Sequence, residues 1–312
     1  MNKNTKIWLN NILGGGISLL LLYFIYNEVT KQVSGIDSNA WKQTGNIVYL
    51  WLCVFLMIIN ISLEGSKWYL LSVSVAPVSY FRAFCSYLAG IAFSIITPNR
   101  IGEYPGRIFY LGNNTFRYIT VAILGISAQL FSLYFFGILG LIYFNIVFPA
   151  LIAKVALAVC LIISFSIVVI YLRFESWIPA MIRIKWLRKF SIYGRLLNRV
   201  TTKRQALILA MSLFRFAVFT AQYLFLLRWM NVNVPFAEGF CMAALFFWLL
   251  AVIPSIALTE LGVRGTVSLY LFQHFSSNSV GILAATVGIW LLNLILPSIL
   301  GSILIMRMRL LR

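Results

Sequence analysis

Six long apolar runs divide the chain, at residues 7–26, 46–63, 119–144, 150–171, 206–229 and 280–306. A membrane-crossing helix needs about 20 mainly apolar residues, so each run reads as a span. Two other stretches, residues 79–111 and 236–275, begin apolar and then break. The first contains Thr97-Pro98-Asn99-Arg100-Ile101-Gly102-Glu103-Tyr104-Pro105-Gly106-Arg107, and the second contains Pro254, Glu260, Gly262, Arg264 and Gly265. Proline removes a backbone donor and glycine turns at little steric cost, so Pro98, Gly102, Pro105, Gly106, Pro254 and Gly262 are the predicted helix breaks. Irregular backbone at membrane depth persists only where it is buried in protein or lines a wet cavity. The pattern predicts an all-α polytopic membrane protein with about six full spans and two broken, re-entrant hairpins, about eight helical membrane elements. Two complete spans in place of each hairpin would keep the same site.

The order span, span, broken element, span occurs twice, over residues 7–144 and 150–306, within one integral membrane domain covering 1–312. Each copy carries proline, then glutamate, then arginine four residues later: Pro98, Glu103 and Arg107, and Pro254, Glu260 and Arg264. A spacing of four places glutamate and arginine on one helical face as an ion pair. With six full spans the copies enter the membrane from opposite sides, which is the inverted-repeat plan of many transporters.

Charge sets the orientation. There are 25 basic and 7 acidic residues, and charged residues make up 10% of the chain, against about 25% in soluble domains. In such a chain a basic excess marks loops facing anionic cytoplasmic lipid, not nucleic-acid binding. Lys3, Lys6, Lys67, Arg82, Arg117, the strongly basic loop 173–205 and the C-terminal arginines all fall on one side. Both termini are then cytoplasmic, in a multi-pass protein of the cell (inner or plasma) membrane. Trp177, Ile178, Trp186, Leu187, Phe190 and Leu196 allow the basic loop to lie as an amphipathic helix on headgroups, or to be a plain loop. Glu64, Lys67 and Trp68, just beyond the second run, read as an interfacial anchor. Gly14-Gly15-Gly16 points to close helix packing. Lys3 and Lys6 precede the first run without a cleavage site, so an uncleaved first helix is expected. Cys53, Cys85, Cys160 and Cys241 are far apart inside apolar runs and read as small apolar side chains, with neither metal nor disulfide spacing.

Pro98-Asn99-Arg100-Ile101-Gly102-Glu103 with Arg107, and Leu261-Gly262-Val263-Arg264, resemble the two motifs of the transmembrane, flippase-like domain of lysylphosphatidylglycerol synthases. The span pattern extends that resemblance over nearly the whole chain. The family's second motif usually opens with proline and paired glycines and has glutamate directly after the arginine. Here Thr259-Glu260 precede it and Gly265 follows. Glu260 therefore does not occupy the family glutamate's place. The soluble aminoacyl-transferase domain of the full synthases is also absent, so lysine transfer is not expected. The resemblance implies movement of a lipid between leaflets.

The charged residues supply a mechanism. An unpaired charge in hydrocarbon costs several kcal/mol, and a polar cavity between the broken elements lowers that barrier for a headgroup. Arg100, Arg107, Arg215 and Arg264 can meet a phosphate through bidentate guanidinium contacts. Glu103 and Glu260 can hold those arginines, contact a cationic headgroup or take up a proton. Arg215, in the middle of its span, is costly unless paired or functional. Lys154, near a span end, snorkels to the interface. His274 has no carboxylate or cysteine nearby and offers no metal or acid–base site. The expected partners are membrane lipids, anionic phospholipid or polyprenyl-linked lipid among them, with a homo-oligomer or a membrane enzyme as further candidates. No catalytic residue, cofactor or metal is expected. The competing readings are a membrane-embedded transferase on polyprenyl-phosphate or phospholipid headgroups, a solute carrier, and a non-catalytic partner of another membrane enzyme.

Overall fold

The computed structural model describes residues 3–34, 44–97, 101–112, 114–149, 151–172, 200–253 and 260–306. Its regular elements are all helices: α1 Lys3–Ser34, α2 Ile47–Val73, α3 Tyr80–Ser94, α4 Glu103–Leu111, α5 Thr115–Val147, α6 Leu151–Leu172, α7 Thr202–Trp229, α8 Phe236–Val252, α9 Glu260–Phe272 and α10 Ser279–Ile305. Among the described residues, five helices are long and apolar enough to cross a membrane: α2, α5, the Leu151–Val169 part of α6, α7 and α10. The apolar part of α1, Leu13–Asn27, and α8 are shorter. The order long, long, short pair, long runs twice along the chain.

Polar side chains start several helices at the ends where backbone donors lack partners. Asn46 caps α2 by accepting from Val48 N, Ser79 caps α3, Thr201 caps α7 and Asn278 caps α10. The described ends also pair across the molecule. At one end Arg204 donates to Ser74 Oγ at 2.9 Å and Arg82 to the Leu111 carbonyl at 3.3 Å. At the other, Gly45 N donates to the Trp229 carbonyl at 2.6 Å and Asn278 Nδ2 to the Met230 carbonyl at 3.0 Å.

Long-range packing centres on α2 against α7. Cys53 meets Gln222 while Asn60 meets Arg215, so α7 numbers fall as α2 numbers rise and the two helices are antiparallel. The other pairings exchange between halves. Helix α3 lies on the C-terminal part of α10, and α8 lies on α5; α5 also packs on α6 and α7, as α10 does on α1 and α2. Two glycines serve the exchanged contacts. A Cβ on Gly140 of α5 would sit 2.6 Å from the Cys241 carbonyl oxygen of α8, and one on Gly301 of α10 would run into the Leu88 carbonyl of α3. Gly14 approaches α10, where a Cβ would be 3.1 Å from the Ile305 carbonyl oxygen, whereas Gly15 and Gly16 meet nothing within 4 Å. The expected close packing is thus carried by Gly14. Cys53, Cys85 and Cys160 are buried free thiols, and Cys241 is half-buried.

The second span extends beyond its predicted end at residue 63. Helix α2 continues to Val73, and Glu64, Lys67 and Trp68 are all buried. They are not an interfacial anchor. The basic loop lies outside the described residues from 173 to 199.

Candidate functional site

Asn60, Glu64 and Lys67 are separated by four and three residues and so share one face of α2. All three are at most 2% exposed. Glu64 is the centre of the site. Its Oε2 is 2.7 Å from Lys67 Nζ and 3.2 Å from Arg215 Nη1, and its Oε1 is 3.1 Å from Arg107 Nη2. Arg107 also pairs with Glu103 one turn back on α4. Arg215 donates from Nε to Asn60 Oδ1 at 2.7 Å.

Arg107 is enclosed by aromatic rings. Its guanidinium carbon lies 4.7 Å from the centre of Tyr87, 4.9 Å from Tyr104 and 5.3 Å from Trp68. Such faces attract a desolvated cation. Trp68 Nε1 donates to Ser86 Oγ at 3.1 Å, and Ser86 donates to the Arg107 carbonyl at 2.7 Å, so the cage is tied to the backbone it surrounds. The close approach of α3 and α4 needs Gly90, because a Cβ there would strike the Arg107 side chain and crowd the Glu103 carbonyl.

Three cations (Lys67, Arg107, Arg215) face two carboxylates (Glu64, Glu103), so these side chains carry one surplus positive charge when ionised. Burying charge is tolerable only with such mutual pairing. Glu64 and Arg107 are 1% exposed, but the Arg215 and Glu103 side chains are each 26% exposed. The site's accessible edge therefore presents one cation and one carboxylate. Arg215 lies at the middle of α7, and Glu64 is four residues from the middle of α2.

Of the predicted residues, Glu103, Arg107 and Arg215 come together, joined through Glu64. Arg264 is half-buried on α9, which packs between α8 and α10. Glu260 begins α9, but its side chain lies outside what is described, as do Arg100, Pro98 and Pro254. Gly102 is at the break before α4, where its N–H donates to Thr97 Oγ1 at 2.7 Å. Pro105 and Gly106 do not break the helix; they lie in α4, where a first-turn proline forfeits no helical bond. Gly262 does not break a helix either; it is exposed within α9, where a missing side chain leaves the α-helical backbone intact.

Glu64, Lys67, Asn60 and the Trp68–Tyr87–Tyr104 cage are absent from the predicted site. Their signal was a polar stripe in an apolar helix: Cys53, Asn60 and Lys67 recur every seven residues, with Glu64 between. No group of three or more His, Cys, Asp or Glu side chains suited to a metal occurs among the described residues.

A family profile described as the lysylphosphatidylglycerol synthase TM region matches residues 11–301. No curated protein matches the chain.

Proposed function

Because the chain belongs to the lysylphosphatidylglycerol synthase transmembrane family, we propose that this membrane protein acts on lipids by moving a headgroup between leaflets past the Glu64-centred cluster. The observation that carries this reading is the pair of partly open charges, Arg215 and Glu103, at the edge of an otherwise buried ionic network. Arg215, whose Nε and Nη1 face Asn60 and Glu64, meets the lipid phosphate through its remaining guanidinium donors. Glu103 keeps Arg107 in place and faces any ammonium group the headgroup carries. Each lowers the cost of taking a charged headgroup through hydrocarbon. The acyl chains remain in the bilayer.

The two halves act as an inverted repeat, with α3–α4 and α8–α9 as re-entrant hairpins. The antiparallel α2–α7 contact and the exchanged packing of α3 on α10 and α8 on α5 support this. Both termini are cytoplasmic, on the side of the basic loop.

The test is reconstitution in liposomes carrying fluorescent anionic or aminoacylated lipid, with quenching of the outer leaflet. Wild-type protein should speed leaflet exchange of at least one of these lipids over protein-free liposomes, and Glu103→Gln should slow it. Exchange at the protein-free rate for every such lipid overturns the proposal.

A further inference from the structure

We infer that Asn60, Asn293 and Gln222 form a polarised amide relay that positions Arg215 from the far side of the α2–α7–α10 seam. The role assigned to them rests on the reading of Arg215 as the headgroup's cation. Arg215 Nε donates to Asn60 Oδ1 at 2.7 Å, and Asn60 Nδ2 donates to Asn293 Oδ1 at 3.3 Å. Asn293 Nδ2 donates to Gln222 Oε1 at 2.9 Å, and Gln222 Nε2 donates to the Cys53 carbonyl at 2.9 Å. The relay crosses from α7 to α2, then to α10, back to α7, and ends on α2.

Its direction is fixed by its ends. A guanidinium only donates, and a backbone carbonyl only accepts. Every amide must therefore turn its oxygen toward Arg215 and its nitrogen toward Cys53. Reversing any one of them sets donor against donor and acceptor against acceptor. Asn60 and Gln222 are 2% and 0% exposed and Asn293 is half-buried, so a partner lost at Asn60 or Gln222 carries the desolvation penalty of a buried amide.

The middle member has a special backbone. Asn293 lies in a π-helical turn, Leu291–Ile295, within α10. Pro297 lacks the N–H that would bond to the Asn293 carbonyl in a regular α-helix. Beyond the turn, Ser298 Oγ approaches the Ile91 carbonyl of α3 at 3.4 Å. The relay thus links Arg215 to the helix that carries α3, and α3 packs on α4 with its Glu103 and Arg107.

The test reads Arg215 directly. The full chain is treated with phenylglyoxal, which modifies guanidinium groups, and Arg215 modification is followed by peptide mass spectrometry beside thermal unfolding. Asn60→Leu, Asn293→Leu and Gln222→Leu are compared with Thr286→Val, which removes a 2.8 Å buried hydrogen bond to Tyr223 on the same α7–α10 seam but leaves the relay intact. A hydrogen bond to a charged group corresponds to about tenfold in an opening equilibrium. Arg215 should accordingly react about tenfold faster in Asn60→Leu and measurably faster in Asn293→Leu and Gln222→Leu. Thr286→Val should match wild type at Arg215. Wild-type reactivity of Arg215 in both Asn293→Leu and Gln222→Leu overturns the relay, as does equal acceleration by Thr286→Val. Lipid movement does not enter this readout, so a protein that moves no lipid overturns the proposed function and leaves the relay's geometry standing.

Discussion

Glutamine at position 64 would leave Lys67, Arg107 and Arg215 facing one remaining carboxylate, that of the partly open Glu103. Removing one partner from a buried ionic network costs about 3–5 kcal/mol, because the other charges stay buried. Glu64→Gln should therefore lower the thermal unfolding temperature of the purified protein sharply. Glu103→Gln should lower it less, since Arg107 retains Glu64 and the Glu103 side chain is 26% exposed. Equal unfolding temperatures for the two variants would contradict the placing of Glu64 at the centre. The sequence makes Glu103 and Arg107 visible as a pair because their spacing of four is local. Arg215 is visible because it stands in the middle of an apolar run. Glu64 is not, because two of its three partners, Arg107 and Arg215, come from α4 and α7, far away in the chain, and charges at the end of an apolar run look like an ordinary boundary. The second span is drawn to end at residue 63 for the same reason, whereas tertiary pairing lets α2 continue to Val73.

At the level of helices, the break before α4 is legible from Gly102, and so is the recurring order of long and short elements, whereas Pro105, Gly106 and Gly262 lie inside helices. What packs on what is not legible, because glycine marks both turns and contacts. Gly140 and Gly301 sit inside long helices and act by letting a neighbouring backbone come close. Valine at either site should force α5 from α8, or α10 from α3. Overpacking of this kind costs about 1–3 kcal/mol, or more where the obstacle is backbone. Gly140→Val and Gly301→Val should thus each lower the unfolding temperature well beyond Gly16→Val, since a Cβ on Gly16 meets nothing within 4 Å. A Gly301→Val protein as stable as Gly16→Val would contradict the α3–α10 contact.

For the whole molecule, the orientation proposed above rests on the basic residues of loop 173–205 facing anionic cytoplasmic lipid. Thr202, beside that loop, and Ser277, between α9 and α10, are both exposed, and they lie toward opposite ends of α7, where Arg204 meets Ser74 and Asn278 meets Met230. With both termini cytoplasmic, a membrane-impermeant maleimide added to intact cells should label Ser277→Cys and reach Thr202→Cys only after lysis. The reverse pattern would turn the protein over in the membrane.

In the proposed function Arg215 serves the headgroup and not merely the fold. Arg215→Gln separates the two, because it removes the surplus cation and leaves Lys67 and Arg107 balanced by Glu64 and Glu103. The decisive measurement is leaflet exchange of fluorescent anionic lipid by reconstituted Arg215→Gln protein, beside wild type of matched unfolding temperature. Arg215→Gln should fold, and its exchange should fall to the rate of protein-free liposomes. A folded Arg215→Gln protein that exchanges lipid at the wild-type rate would contradict the proposed function.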